Sequence, residues 1–87
     1  MDTTRQLAAY DCAASVEVAG RDLHRMLERY PDTRAKGEAL CNMTREIRRA
    51  REALDAFEAI VARESRDLSV MAREAQFIVS FSTGEAA

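Results

Sequence analysis

The chain has 87 residues, with 13 basic and 15 acidic side chains, and a net charge of −2 at pH 7. This length makes one small domain, and the balanced charge creates no strong electrostatic demand for nucleic acid or an acidic membrane. Sixteen alanines, three glycines and one proline leave too few turn residues for a sheet of several strands. The composition therefore predicts an all-α fold.

The first predicted helix begins near residue 4, because Thr3 and Gln6 have the spacing of a capping box. Pro31 ends it, since proline has no backbone N–H and disfavours helical geometry in the residue before it. Between these points apolar residues alternate at spacings of three and four, as on the contact face of a coiled coil: Ala9, Cys12, Val16, Ala19, Leu23, Met26 and Tyr30. We predict a helix over about residues 4–30 and a turn over residues 31–33.

The same spacing returns after the turn and keeps its phase to the end of the chain. Its positions are Leu40, Met43, Ile47, Ala50, Leu54, Phe57, Val61, Glu64, Leu68, Met71, Ala75, Ile78 and Ser82. Gly84 is a suitable residue to follow a helix C-terminus. We predict a second helix over about residues 34–82 and a frayed tail over residues 85–87, and we expect Leu54 and Phe57 to lie at the centre of the contact between the helices.

The two predicted helices differ in length, at about 40 Å and about 77 Å. In an antiparallel hairpin about Pro31, the first helix would cover the second only to about residue 58. One solution is a three-helix bundle with a break near residues 64–67, where Glu64 interrupts the apolar pattern and Ser65 or Asp67 could cap a third helix. The other is a coiled-coil-like hairpin with a long second helix, which the unbroken phase favours.

A continuous second helix leaves large apolar side chains without cover from the same chain. The predicted partner-binding residues are Val61, Leu68, Met71, Phe77, Ile78 and Phe81. So much apolar area is expected to meet another protein or a second copy, and a homodimer is the expected form in solution. The sequence thus predicts a non-enzymatic protein–protein interaction module: a small helical adaptor, co-chaperone or inhibitor.

The layout of a capped helix, a proline turn and a longer heptad helix resembles small bacterial helical-hairpin proteins. These include co-chaperones, needle-type subunits of secretion systems and short phage-encoded inhibitors. The resemblance lies in architecture alone. It implies amphipathic helices that complete their core with another chain.

The alternative function is that of a dimeric nucleic-acid-binding protein, using the basic residues Arg45, Arg48, Arg49 and Arg51. Against it, Arg48 can pair with Glu52, and Arg51 with Asp55, one helical turn apart. The cluster also lacks interleaved aromatic side chains on which bases could stack. Binding of nucleic acid is therefore not expected.

The sequence predicts no catalytic, metal-binding or cofactor-binding site. Glu17, His24 and Glu28 share one helical stripe, but Arg21 lies among them, and an exposed stripe with a Glu17–Arg21 pair is the simpler interpretation. No glycine-rich phosphate loop or nucleophile motif is present. Without a visible signal peptide or an apolar run of membrane-spanning length, we expect a cytoplasmic protein with no membrane contact.

The hairpin register predicts that Cys12 and Cys41 do not form an intramolecular disulfide. Their positions are offset along the hairpin by about nine residues, or about 14 Å, whereas disulfide-bonded Cα atoms lie within about 7 Å. Mass spectrometry of the non-reduced monomer should show two free thiols. A Cys12–Cys41 cross-link would contradict this register.

Overall fold

The computed structural model describes the backbone of residues 1–86 and the side chains of residues 1–76. Two helices, α1 (Thr3–Arg29) and α2 (Lys36–Ala86), pack against each other and are joined through a short 3-10 helix at Tyr30–Asp32. The molecule measures 80 × 20 × 15 Å, so its length is that of α2. The predicted all-α helical hairpin is confirmed.

Helix α1 is capped by Asp2, one residue before the predicted capping box. The Asp2 carboxylate accepts a hydrogen bond of 2.7 Å from the backbone N–H of Arg5, while Thr3 is already the first helical residue. An aspartate at this position accepts from an otherwise unpaired backbone donor, and its charge favours the positive end of the helix dipole. The pairing of Thr3 with Gln6 as a capping box is therefore wrong.

The turn between the helices is fixed by side chains that satisfy the carbonyls left free at the end of α1. The Thr33 hydroxyl donates to the Arg29 carbonyl at 2.9 Å, and the Lys36 ammonium donates to the Thr33 carbonyl at 2.8 Å. Lys36 also lies 5.3 Å from the centre of the Tyr30 ring, within cation–π range. Residues 33–35 lie outside the helices, so α2 begins at Lys36 and not at residue 34.

Helix α2 is continuous through residues 64–67, so the three-helix alternative is wrong. The Ser69 hydroxyl donates to the Ser65 carbonyl at 3.0 Å, a bond made within a helix rather than at a new cap. The helix extends to Ala86 and includes Gly84. The predicted end near residue 82 is therefore too early.

The contact face of α1 is the predicted one: all seven residues of its apolar pattern are buried or half-buried. On α2 the contact is displaced to one side. Met43, Ala50, Phe57 and Glu64 do face α1, but the other contact residues are Ala39, Asn42, Glu46, Ala53 and Ile60. The predicted central position of Leu54 is wrong, because α1 packs over one edge of the apolar pattern of α2.

The core of the hairpin is thin. Among the described side chains, Ala19 and Met43 alone are buried, and Ala19 is 0% exposed. Small residues on both helices, such as Ala19, Ala50 and Ala53, allow the helices to approach closely but contribute little apolar area. The hairpin therefore leaves most of its large apolar side chains in contact with solvent.

We predict that Ala19→Leu destabilises the hairpin by about 1–3 kcal/mol, because added methylene groups have no space at this closed contact. Urea unfolding followed by circular dichroism measures the change. The matched control is Ala14→Leu, which adds the same atoms at an exposed position of α1. Equal effects of the two substitutions would contradict the assignment of Ala19 to the helix contact.

Candidate functional site

The principal uncovered feature of α2 is a row of five large aliphatic residues, which we term the Leu row. Its members recur every seven residues and are each 45–56% exposed: Leu40, Ile47, Leu54, Val61 and Leu68. The row runs for about 42 Å along one flank of the hairpin. It exists because α1 packs on the other edge of the apolar pattern.

Helix α1 borders the Leu row with a flank whose two central residues, Ala13 and Gly20, are small. Gln6, Ala13, Gly20 and Leu27 also recur every seven residues and therefore share one flank of α1. Near the start of α1, a shallow apolar cleft is lined by Gln6, Ala9, Tyr10, Ala13 and Phe57. Together with the Leu row, these residues make an apolar groove on one side of the hairpin.

The opposite flank is polar. Around the turn it is lined by Met26, Arg29, Thr33, Ala35, Glu38, Ala39 and Asn42. Glu46 continues this flank, with one carboxylate oxygen 3.4 Å from Arg49 and the other buried without a hydrogen bond. The two flanks of the hairpin thus offer unlike surfaces, one apolar and one charged.

A cluster of charges joins the first turn of α1 to α2. The Arg5 guanidinium donates to Glu64 at 2.7 Å and to Asp67 at 2.8 Å, and the amino group of Met1 lies 2.7 Å from Glu64. Hydrogen bonds from that amino group and from Arg5 hold the pKa of Glu64 below its ordinary value. Bonds to Asp67 and Glu64 raise the pKa of Arg5.

This cluster explains the polar residue that interrupts the apolar pattern of α2. The sequence pattern allows α2 to break near Glu64 and does not predict that Glu64 bonds to Arg5. The available signal was Arg5, which continues the α1 contact pattern one turn before Ala9. Helix α1 consequently reaches Asp67, farther along α2 than the predicted limit near residue 58.

Beyond Leu68, the last residue of the Leu row, α2 continues without α1 beside it; we term residues 69–86 the projecting segment. Its described side chains include Val70 and Met71, which are 50% and 62% exposed. Of the predicted partner-binding residues, Val61 and Leu68 belong to the Leu row, and Met71 lies in the projecting segment. Phe77, Ile78 and Phe81 lie outside the residues whose side chains are described.

The four arginines of the alternative site are all exposed. Arg45 donates to Asn42 and Arg49 to Glu46, each at 3.4 Å. Although all the side chains concerned are described, the predicted pairs Arg48–Glu52 and Arg51–Asp55 are not within ion-pairing distance, so that prediction is wrong. The four arginines lie on the outward half of α2, where Arg45 and Arg49 are bonded within their own helix. In a chain of net charge −2, this short exposed cluster does not favour a phosphate-binding surface.

The polar stripe on α1 consists of local ion pairs. Arg21 lies 3.2 Å from Glu17, as predicted, and His24 lies 2.9 Å from Glu28, with all four side chains largely exposed. Among the described side chains, those of residues 1–76, no three potential ligands gather as a metal site requires. Cys12 and Cys41 are free thiols.

Comparison with known proteins gives no relative: no family model, curated protein or solved structure matches the chain. Over the described residues, neither helix combines the length and the apolar character that a membrane span requires.

We predict that Glu64→Gln lowers the thermal midpoint at neutral pH and that this difference shrinks in acid. A carboxylate whose pKa is lowered in the folded state stabilises fully above its ordinary pKa of 4.5, and loses that contribution as the pH falls through the lowered value. Thermal unfolding of both proteins at several pH values from about 7 to about 3 tests this. Glu52→Gln, an exposed carboxylate, controls for the lost charge, and a pH-independent Glu64→Gln difference would contradict the assignment.

Proposed function

We propose that this protein is a non-enzymatic helical interaction module that binds another protein chain through the uncovered apolar face of α2. It would act in the manner of small adaptors, co-chaperones and inhibitors. The observation that carries the proposal is the length of α2, which extends past Asp67, the last residue bonded to α1, to Ala86.

The projecting segment has the chemistry that helix docking requires. Val70 and Met71 are each at least half exposed, and full burial of such a side chain stabilises a complex by about 1.5–3 kcal/mol. Met71 and Ala75, four residues apart, share one face of the helix and are both exposed. An amphipathic helix of this kind binds by laying its apolar face in a groove between helices of the partner.

The hairpin gives this segment a fixed base. An isolated helix of the same length would be only partly formed in water, whereas α2 is held along its first thirty residues by α1 and by the Arg5 cluster at the point where the segment begins. A preformed helix loses less conformational entropy on binding than a disordered segment does. The short first helix thus holds the long second helix in place, and the second helix presents the projecting segment to a partner.

We predict that a benzophenone side chain placed at Met71 cross-links to a discrete partner in cells of the source organism, while the same group at Arg73 does not. Arg73 lies on nearly the opposite side of the same helix and is exposed, so it matches Met71 in position along the chain. The masses of the adducts distinguish a second copy from another protein.

Met71→Asp should abolish binding to the partner so identified, and Arg73→Asp should leave it within about twofold. Equal cross-linking at the two positions, or unchanged binding of Met71→Asp, would contradict the proposed function.

A further inference from the structure

We propose that two copies of the chain form a symmetric antiparallel dimer, in which the Leu rows pack against each other about Leu54. The inference rests on the proposed function, because it assigns one of the docking surfaces of α2 to a second copy. It concerns the flank beside α1 and leaves the projecting segment free.

The Leu row reads the same in both directions. Leu occupies both ends and the centre, at Leu40, Leu68 and Leu54, and a β-branched residue occupies each position between them, at Ile47 and Val61. An antiparallel two-fold arrangement about Leu54 therefore places Leu40 against Leu68, Ile47 against Val61, and Leu54 against Leu54 of the second copy. This self-complementary pairing is what a two-fold interface requires.

Charge selects the antiparallel orientation over the parallel one. Beside the Leu row lies a second row with the same spacing: Thr44, Arg51, Glu58 and Ser65. The antiparallel arrangement places Arg51 next to Glu58 of the second copy, twice per dimer, and Thr44 next to Ser65. A parallel two-fold arrangement would place this row on opposite sides of the seam in the two copies, so that the Arg51–Glu58 pairs between copies would be lost. Arg51 and Glu58 form no ion pair with any described side chain of their own chain.

Helix α1 leaves space for the second copy. The register set by Arg5 against Glu64 and by Met26 near Ala39 brings Gly20 level with Ile47 and Ala13 level with Leu54. Apart from its chain neighbours and the adjoining backbone of α1, no described atom lies within 4 Å of the position that a Cβ on Gly20 would take. The large side chains of a second Leu row can therefore enter the groove between α1 and α2.

The chain exposes more surface than a compact protein of the same mass does, as expected of a subunit that packs against a second copy. The chain exposes 7169 Å², whereas a compact monomer of 9.7 kDa exposes about 5,100 Å². The excess is about 2,000 Å² per chain, and it is divided between the projecting segment and the Leu row. Obligate homodimers bury about 2,000–5,000 Å² in total, so the share on the Leu row is of the size that an interface between two copies needs. The radius of gyration, 22.3 Å, likewise exceeds the roughly 12 Å of a compact domain of this length.

The arrangement directs the two projecting segments to opposite ends of the dimer. Each copy then presents its Met71 face away from the two-fold axis, and the four helices share one core built on the Leu rows. The dimer is thus a bivalent form of the module, in which one surface of α2 joins the copies and another remains available to a partner.

Cysteine cross-linking in a Cys12→Ser, Cys41→Ser background tests the pairing directly. Leu54→Cys should form a disulfide-linked dimer on mild oxidation, because it lies at the two-fold axis. Leu40→Cys alone should not cross-link, but a mixture of Leu40→Cys and Leu68→Cys chains should do so. His24→Cys, exposed on α1, is the negative control. Self-linking of Leu40→Cys, or no cross-link in Leu54→Cys, would overturn the proposal.

Sedimentation equilibrium gives an independent test without cysteines. Leu54→Glu should raise the dimer dissociation constant by roughly 100-fold or more. Arg51→Glu and Glu58→Arg should each raise it by roughly tenfold, and the double variant should recover most of the loss. Circular dichroism confirms that each variant remains helical. A single 9.7 kDa species for the wild type, or no recovery in the double variant, would contradict the arrangement.

The two proposals can fail separately. Met71→Asp lies outside the Leu row and should leave the dimer dissociation constant within about twofold. If Leu54→Cys fails to cross-link while Met71 still contacts another protein, the dimer is wrong and the proposed function stands. If the dimer forms as described but Met71 and Arg73 behave alike, the role of the projecting segment is wrong.

Discussion

The structure depends on the lateral offset between its two helices. Helix α1 does not sit over the centre of the apolar face of α2, but over one edge, where Ala39, Ala53 and other small residues admit it closely. The Arg5–Glu64–Asp67 cluster then fixes how far along α2 the first helix reaches. The cost of this close approach is a thin core, and its consequence is that a complete row of aliphatic side chains, the Leu row, remains outside the hairpin. The candidate surfaces are those that the offset leaves uncovered.

The sequence pattern was sufficient for the fold and for the face of α1 that is buried, because a spacing of three and four residues defines one side of a helix whatever packs there. The apolar face of α2 is wider than a single neighbouring helix can cover. Periodicity alone could not say which half of it α1 would take, so Leu54 was placed in the core and Glu64 at a break. Both errors have one origin: the first helix follows the small residues and the charge partner of Arg5, which are tertiary features that a pattern of apolar spacing does not contain.

The two uncovered parts of α2 have different characters, and this argues for different roles. The Leu row lies beside α1, is palindromic, and is flanked by Arg51 and Glu58 in a self-complementary order. The projecting segment has no neighbouring helix from its own chain and presents Val70 and Met71. One surface suits a copy of the same chain, and the other suits the helices of a different protein. A module of this design would couple assembly to binding, since two projecting segments on one rigid base bind a repeated or dimeric target more tightly than one.

The central claim is that the Leu row is an interface and not a solvated surface. Isotope-filtered nuclear Overhauser spectroscopy on an equimolar mixture of methyl-labelled and unlabelled chains tests it most directly. The account predicts intermolecular contacts between the methyl groups of Leu54 in the two copies, and between those of Leu40 and Leu68, with none between Leu40 and its own counterpart. An absence of intermolecular contacts along the row, in a sample that diffuses as a 9.7 kDa monomer, would contradict it.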